Sequence, residues 1–385
     1  MSSTTIQYEE LAQQIEAILE DPGTSIARIQ DEQLRRRLAE GGRKLGIVLE
    51  EPRHTMHRLG HVHFQLLLMI IGVQSGVFDA LVAEPRPFNS TELSEKTGVS
   101  LSLLRRLLRY YQALDMICQV ENDAYQSNNV TQVLSNEDHG NALRFSHKIM
   151  GPAVVDLPDW LQSTGYKDPT GILPTALSRA HNTDQHAYSW LGDNPWALKL
   201  TLAYMKVQFR DRPLFFDALD FQTRFAHDAI DSTILFRYPN LPGRVILQDR
   251  PEVVEKAKSA LASSANIEVE VYDIFTPESV KGARAYYLRK ILHSYVDERC
   301  LEVLGNIKAG MTEESVIMID ETVLPECGAG LRGAQHDIEV LMSVGAKERT
   351  KCEWEMLLEG VGLNLCEVVR YDQEYDDCLI IASLN

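Results

Sequence analysis

Positive charge is the first thing this chain is short of. Lysine and arginine number 38 against 55 aspartates and glutamates, for a formal net charge of −17. A general phosphate-backbone binder needs a basic face, so the balance argues against nucleic acid as a partner. Cysteine is also sparse: Cys118, Cys300, Cys327, Cys352, Cys366 and Cys378 are scattered through 385 residues, with no C-x-x-C pair. That scatter excludes a disulfide framework and reads as reduced thiols in a cytoplasmic protein. Long apolar runs are missing too. The longest, residues 64–73, is about half a membrane span and reads as a buried helix, with no membrane partner. The opening MSSTTIQYEELAQQIEA is polar and helical in pattern, unlike a signal peptide. The last absence lies in IDSTILFRYPNLPGRVILQDRPE, residues 230–252. Two apolar bursts, Ile234-Leu235-Phe236 and Val245-Ile246-Leu247, stand where a nucleoside-binding α/β domain would carry a glycine-rich loop and a helix between them. No such loop is there.

What is present suffices for two domains with a real core: 44% of residues are hydrophobic and 24% charged. Residues 6–20, and more loosely 26–50, alternate at helical spacing. HVHFQLLLMIIGVQSGVFDAL reads as a buried helix. In the next segment, Ser90 or Thr91 can cap a helix with Glu92 in its first turn. Gly98-Val99-Ser100 makes a turn, and Ser100 caps a second helix carrying Leu103, Leu104, Leu107, Leu108 and Tyr111. Residues 117–125 suggest a β-hairpin. Helix, turn, helix and hairpin form a winged-helix pattern. Arg105, Arg106 and Arg109 on its second helix could face DNA, but in so acidic a chain they read as solvated or paired with carboxylates. Residues 140–215 look helical and aromatic-rich, with Phe145, Trp160, Tyr166, Trp190 and Trp196 among them. This suits the wall of an apolar pocket or an ordinary core. From about residue 230 strands and helices alternate. This is an α/β domain with a parallel sheet and an antiparallel edge pair at its end.

Polar groups at strand ends mark the candidate site. Asp249 closes VILQD, where a carboxylate can take both hydroxyls of a ribose. Asp273 and Ile274 close IEVEVYDIF and can bracket an adenine. YYLRKILHSY places Arg289 and His293 four residues apart. Glu321 ends SVIMIDE and Glu348 lies in GAKERT; carboxylates beside a histidine orient its ring and raise its basicity, as a general base for a hydroxyl needs. His57 and His61 have metal-ligand spacing, but with His54 and His63 they read as a helix surface. No metal is expected.

These stretches resemble the caffeate-type small-molecule O-methyltransferases of plant and fungal secondary metabolism, which use S-adenosylmethionine (SAM). GVFDAL, AHNTDQHAYSWLGDNP, FFDALDFQTRF, YPNLPGRVILQDRPEVVEKA, YYLRKILHSYVDERCLEVLGNIKAGM, DETVLPE and GAKERTKCEWEMLLEGVGL occur in family order. The resemblance implies a helical winged-helix dimerisation domain over 1–135 and a helical linker and substrate-pocket region over 136–215. A Rossmann-like methyltransferase domain follows over 216–385. It implies a homodimer acting on a small-molecule substrate. By position it makes His293 the base, flanked by Glu321 and Glu348. It puts Asp249 on the SAM ribose, Asp273 and Ile274 on the adenine, and Arg289 near the cofactor. Two departures follow His293, where the family's Asp-Trp is Ser294-Tyr295. The third is the glycine loop. Ile234-Leu235-Phe236 matches the start of the family's first strand, and Arg237-Tyr238-Pro239 the end of the next helix. About 15 residues are missing between them, judged by the usual βα length. An alternative alignment lays residues 220–226 over the loop, again without its glycines. The methionine half of SAM lies against that loop's backbone, where any Cβ would collide. The expectation is therefore a severe loss of SAM affinity. Two other readings keep the fold without methyl transfer: a cyclase or pericyclase, and a non-catalytic dimer partner.

Overall fold

The computed structural model describes residues 3–20, 29–169, 174–210, 212–219, 244–260 and 267–385. The chain divides into two compact units, Met1–Met69 and Ile70–Asn385. In the first, α1 (Ser3–Glu20) and α2 (Glu32–Val48) match the helical spacing of the sequence, and α3 (Pro52–Gln74) begins there. Asp31 starts α2, its Oδ1 accepting the N–H groups of Gln33 and Leu34 at 2.9 and 3.2 Å. α2 has no buried residue, and Leu34, Leu38, Leu45 and Ile47 are exposed on it.

The second unit opens with the expected helix, turn, helix and hairpin. α4 (Ser90–Thr97) is capped by Asn89, not by Ser90 or Thr91. Asn89 Oδ1 accepts the Glu92 N–H, and Glu92 Oε2 accepts the Asn89 N–H, both at 2.9 Å. Ser90 is otherwise engaged: its hydroxyl donates to Asp123 and accepts from Arg105 Nε, each at 2.9 Å. That bond and the nearby Asp123 carboxylate, at 3.8 Å, tie Arg105 down. Gly98, at φ 72°, ends α4 in the left-handed region that glycine favours. α5 (Leu101–Ala113) follows. Ser100 stands at its N-cap, but its side chain makes no capping bond. Leu104, Leu107, Leu108 and Tyr111 are buried as expected, while Leu103 faces outward. β1 (Cys118–Glu121) and β2 (Ala124–Gln126) form the antiparallel hairpin.

Next come α6 (Glu137–Phe145), α7 (Gly151–Ser163), α8 (Ala187–Asp193) and α9 (Pro195–Gln208). Phe145, Trp160 and Trp190 pack here with Val340, Met342 and Val344, so these aromatics form a core. Tyr166 and Trp196 face outward.

The α/β part contains β3 (Val245–Asp249), α10 (Pro251–Ala260), β4 (Ile267–Val271), β5 (Ala285–Arg289), α11 (Asp297–Lys308) and β6 (Val316–Leu324). It continues through α12 (Leu331–Val344), β7 (Arg349–Thr350), α13 (Lys351–Gly360), β8 (Leu363–Asp372) and β9 (Asp377–Leu384). The described strands fall into two sheets. β3 and β4 pair in parallel; β5, β6, β9 and β8 form the other sheet in that order, with β7 beside the end of β6. β5 and β6 are parallel, and β9 runs antiparallel to β6 and β8, as the closing segments predict. Between β3 and β5 lies a cavity of about 520 Å³ lined by Ile246, Gln248, Ala285, Tyr287 and Arg289. Ile234-Leu235-Phe236, the junction at Arg237 and the 220–226 alternative all lie outside the described residues.

The β5–β6 sheet is packed around Leu288, Leu304, Ile319, Trp354 and Ile380. One charged side chain is drawn in with them. Arg349, 1% exposed, lies over the Trp354 ring at 5.2 Å. Its guanidinium donates to Asp297 Oδ1 at 2.7 and 2.9 Å and to the carbonyls of Leu292 and Tyr295 at 3.2 and 2.9 Å. A buried cation is tolerated only when it is this well paired. Arg349→Met, which removes the donors and strands two carbonyls, is expected to cost about 3 kcal/mol in urea unfolding. A loss under about 0.5 kcal/mol would show that this tie does not hold the loop.

Candidate active site

The loop after β5 is built by three polar anchors. Lys290 has φ 51°, uncommon for a residue with a Cβ. It is held there by three bonds: its N–H to Asp320 O at 3.0 Å, and its Nζ to Thr322 Oγ1 at 2.8 Å and Asp377 Oδ1 at 2.7 Å. A 3₁₀ turn, Leu292–Ser294, follows. Glu321, fully buried on β6, collects that turn. Its Oε1 accepts the N–H groups of Ile291, Leu292 and His293 at 2.9, 2.9 and 3.3 Å.

The His293 ring then meets Glu348, with Nδ1 2.8 Å from Oε1. Glu321 Oε2 is 3.8 Å from the same nitrogen. Glu348 is itself fixed, its N–H donating to Asp337 Oδ1 at 2.8 Å. The three residues singled out by sequence are therefore brought together. A fourth was missed. His336 Nδ1 is also 2.8 Å from Glu348 Oε1, so one carboxylate oxygen serves two imidazoles. The ring centroids are 5.5 Å apart. The available signal was a histidine at the start of an apolar helical run, AQHDIEVLMSV, leading into Glu348.

Burial opposes the charged form of His293, but the Glu321 charge and the Glu348 hydrogen bond and charge outweigh it, and its pKa is raised. The two carboxylates move apart. Burial raises Glu321, against the pull of His293 and Lys290. Burial also opposes the ionised form of Glu348, but the hydrogen bonds from both histidines prevail and hold it well below the usual carboxylate range. Glu348 is therefore the site's fixed negative charge. While it is ionised, the His293 Nδ1 proton points at it and Nε2 is left as the acceptor.

Aromatic rings and hydroxyls surround this centre. Tyr188 from α8 bonds the Ser294 hydroxyl at 2.9 Å, and burial raises the Tyr188 pKa. Tyr295 stacks with His186 at 6.4 Å and meets the edge of Phe275 at 5.2 Å. His186 did not stand out in the sequence, whereas Tyr188 is one of the aromatics of residues 140–215 that suit a pocket wall.

Of the remaining four predicted residues, Asp249, Asp273 and Ile274 lie at or beyond the ends of β3 and β4, and Arg289 ends β5. Asp249 pairs in register with Val271, so Asp249 and Asp273 stand at the same end of two parallel strands. Asp249 is half-buried and accepts the Arg250 N–H at 2.7 Å; Asp273 is exposed and accepts the Phe275 N–H at 3.0 Å. Ile274 and Arg289 both line the 520 Å³ cavity. Arg289 also lies 3.5 Å from Asp320, which accepts the hydroxyls of Tyr287 and Tyr371 at 2.6 and 2.5 Å. Phe275 links this side to the other, through its contact with Tyr295 beside His293.

Residues 227–364 match the O-methyltransferase domain family. Over 379 residues the chain is 32% identical to the O-methyltransferase lepI of Aspergillus flavus, covering 94% of this chain and 97% of that protein. The solved structure of LepI in complex with SAM superposes with a TM-score of 0.86 at 30% identity, over 98% of this chain and all of the other. A pericyclic reaction enzyme of known structure gives 0.85, also at 30% identity, over 97% of this chain and all of the other. A relative this similar over almost its whole length settles the kinship, and the chain belongs to the O-methyltransferase family.

Proposed function

We propose that this chain methylates a hydroxyl of a small aromatic or polyketide-type secondary metabolite, with His293 as general base. The observation that carries the reading is the 2.8 Å contact from His293 Nδ1 to Glu348. It fixes the ring, leaves Nε2 to take the hydroxyl proton, and sets a buried negative charge against the imidazolium that forms. Glu321 holds the turn beneath the ring and adds its field. Tyr188, Tyr295 and His186 offer an aromatic surface beside it, suited to a flat substrate.

When bound, SAM would supply an electrophilic methyl group. The residues present fit its adenosine half: a carboxylate for the ribose at Asp249, and Asp273 with Ile274 for the adenine. For the methionine half, the chain lacks the glycine loop whose backbone would carry it. Adenosine recognition with a weakened methionine contact is the arrangement that these residues support. A second reading rests on the same gap and on the likeness to a pericyclic reaction enzyme. In that reading the pocket shapes a substrate without methylating it, and His293 and Arg289 polarise a carbonyl.

Calorimetric titration of the purified chain with SAM is expected to give a Kd of about 100 μM or weaker. A low-micromolar Kd would show that the loop is not needed. Product masses with and without SAM separate the two activities. A gain of one methyl supports methyl transfer, and an isomer of unchanged mass formed equally without SAM sinks it.

We also infer that the first unit carries a homodimer contact, because α2 exposes Leu34, Leu38, Leu45 and Ile47 and buries nothing. Light scattering should give twice the 43.5 kDa chain mass for the wild type and a monomer for Leu38→Glu. A monomeric wild type removes this inference.

A further inference from the structure

We propose that His293, Glu348 and His336 form a site for a divalent transition-metal ion of the Zn²⁺ class, and that the bound ion switches His293 off as a base. The ligand atoms of the three residues lie within 4.8 Å of one another. Both Nδ1 atoms are 2.8 Å from the same Glu348 oxygen. Zinc holds nitrogen and oxygen ligands at about 2.0–2.2 Å in a tetrahedron, which sets them about 3.3 Å apart. The two nitrogen–oxygen pairs therefore need to open by about half an ångström, and the two nitrogens, within 4.8 Å of each other, need to settle at the same spacing.

A second observation points to the same place. Glu321 Oε2 and Glu348 Oε2 are buried with no hydrogen-bond partner among the described residues. Glu321 Oε2, 3.8 Å from His293 Nδ1, is within reach of a fourth ligand position. Two carboxylates with spare lone pairs are a favourable setting for a dication. The Lys290 ammonium, bonded to Thr322 and Asp377, is the opposing charge and cancels part of it. Two imidazoles in the donor set favour Zn²⁺, Co²⁺ or Ni²⁺ over Mg²⁺ or Ca²⁺. The Glu348 N–H bond to Asp337 supplies outer support. Access is from the His336 side, whose side chain is 22% exposed and borders a small hollow with Gln208 and Tyr375; Arg212, Lys290 and Arg332 also line that hollow and oppose a cation's entry.

The consequence for His293 follows from proton balance. A metal can bind Nδ1 only through a lone pair, so the proton there must leave. In a neutral ring it moves to Nε2; from an imidazolium, one proton goes to solvent and the other stays on Nε2. Either way Nε2 becomes N–H and cannot accept the substrate proton. No bond to carbon changes and no redox step occurs. The loss of activity rests on His293 being the base, whereas the binding does not.

The test is titration of the purified full chain with CoCl₂, followed by visible absorption. Wild type should develop the intense d–d bands of four-coordinate Co²⁺, and added ZnCl₂ should remove them. His336→Phe, checked for folding by circular dichroism, should weaken the binding at least about tenfold. His57→Gln should leave it unchanged, although His57 and His61 lie four apart on α3. If methyl transfer is observed, ZnCl₂ should inhibit wild type at concentrations at least about tenfold lower than those needed for His336→Phe. Bands that are absent in wild type, or that survive His336→Phe and vanish in His57→Gln, overturn the site. Co²⁺ bands without Zn²⁺ inhibition leave the metal site standing and remove His293 as the base.

Discussion

One carboxylate oxygen, Oε1 of Glu348, organises the chemistry of this protein. It stands 2.8 Å from the Nδ1 atoms of both His293 and His336. An ionised carboxylate buried this deeply is costly unless its hydrogen bonds repay the lost water. Two imidazole N–H groups do so, and they hold Glu348 ionised against its burial. The same bonds orient His293, raise its affinity for a proton, and leave its other nitrogen as the acceptor.

Everything else in the loop serves that contact. Glu321 gathers three successive backbone N–H groups, which fixes where the His293 backbone sits. Lys290 accepts a left-handed backbone because its N–H and its ammonium both find partners across β6 and β9. Arg349, next to Glu348 in sequence, holds the carbonyls of Leu292 and Tyr295 on either side of the histidine. Glu348 and Arg349 thus position His293 from one strand end, one through the ring and the other through the backbone.

How much of this could be read from the sequence depended on the range of the interaction. His293 and Glu348 were legible because each stands beside a strand end, and the order of strands and helices is a local pattern; Glu321, expected to end its strand, lies inside β6, which runs on to Leu324. The antiparallel close of the sheet was legible for the same reason. Asn89 was missed as a cap because Ser90 and Thr91 are equally good local candidates. What decides is Asp123 and Arg105, more than ten residues away, which claim the Ser90 hydroxyl. His336 and the outward-facing Leu103 were missed for a related cause: which face of a helix meets its neighbours is a tertiary fact. Residues of both β3 and β5 line one cavity.

The central claim is that buried carboxylates make His293 a stronger base, and its titration tests this most directly. Nuclear magnetic resonance of ¹⁵N-histidine-labelled protein should give a His293 pKa above the free value of about 6.5. The imidazolium then persists to higher pH, and the free base forms only above that point. Glu348→Gln should bring the pKa down. A wild-type pKa at or below about 6.5, unmoved by Glu348→Gln, would contradict the account.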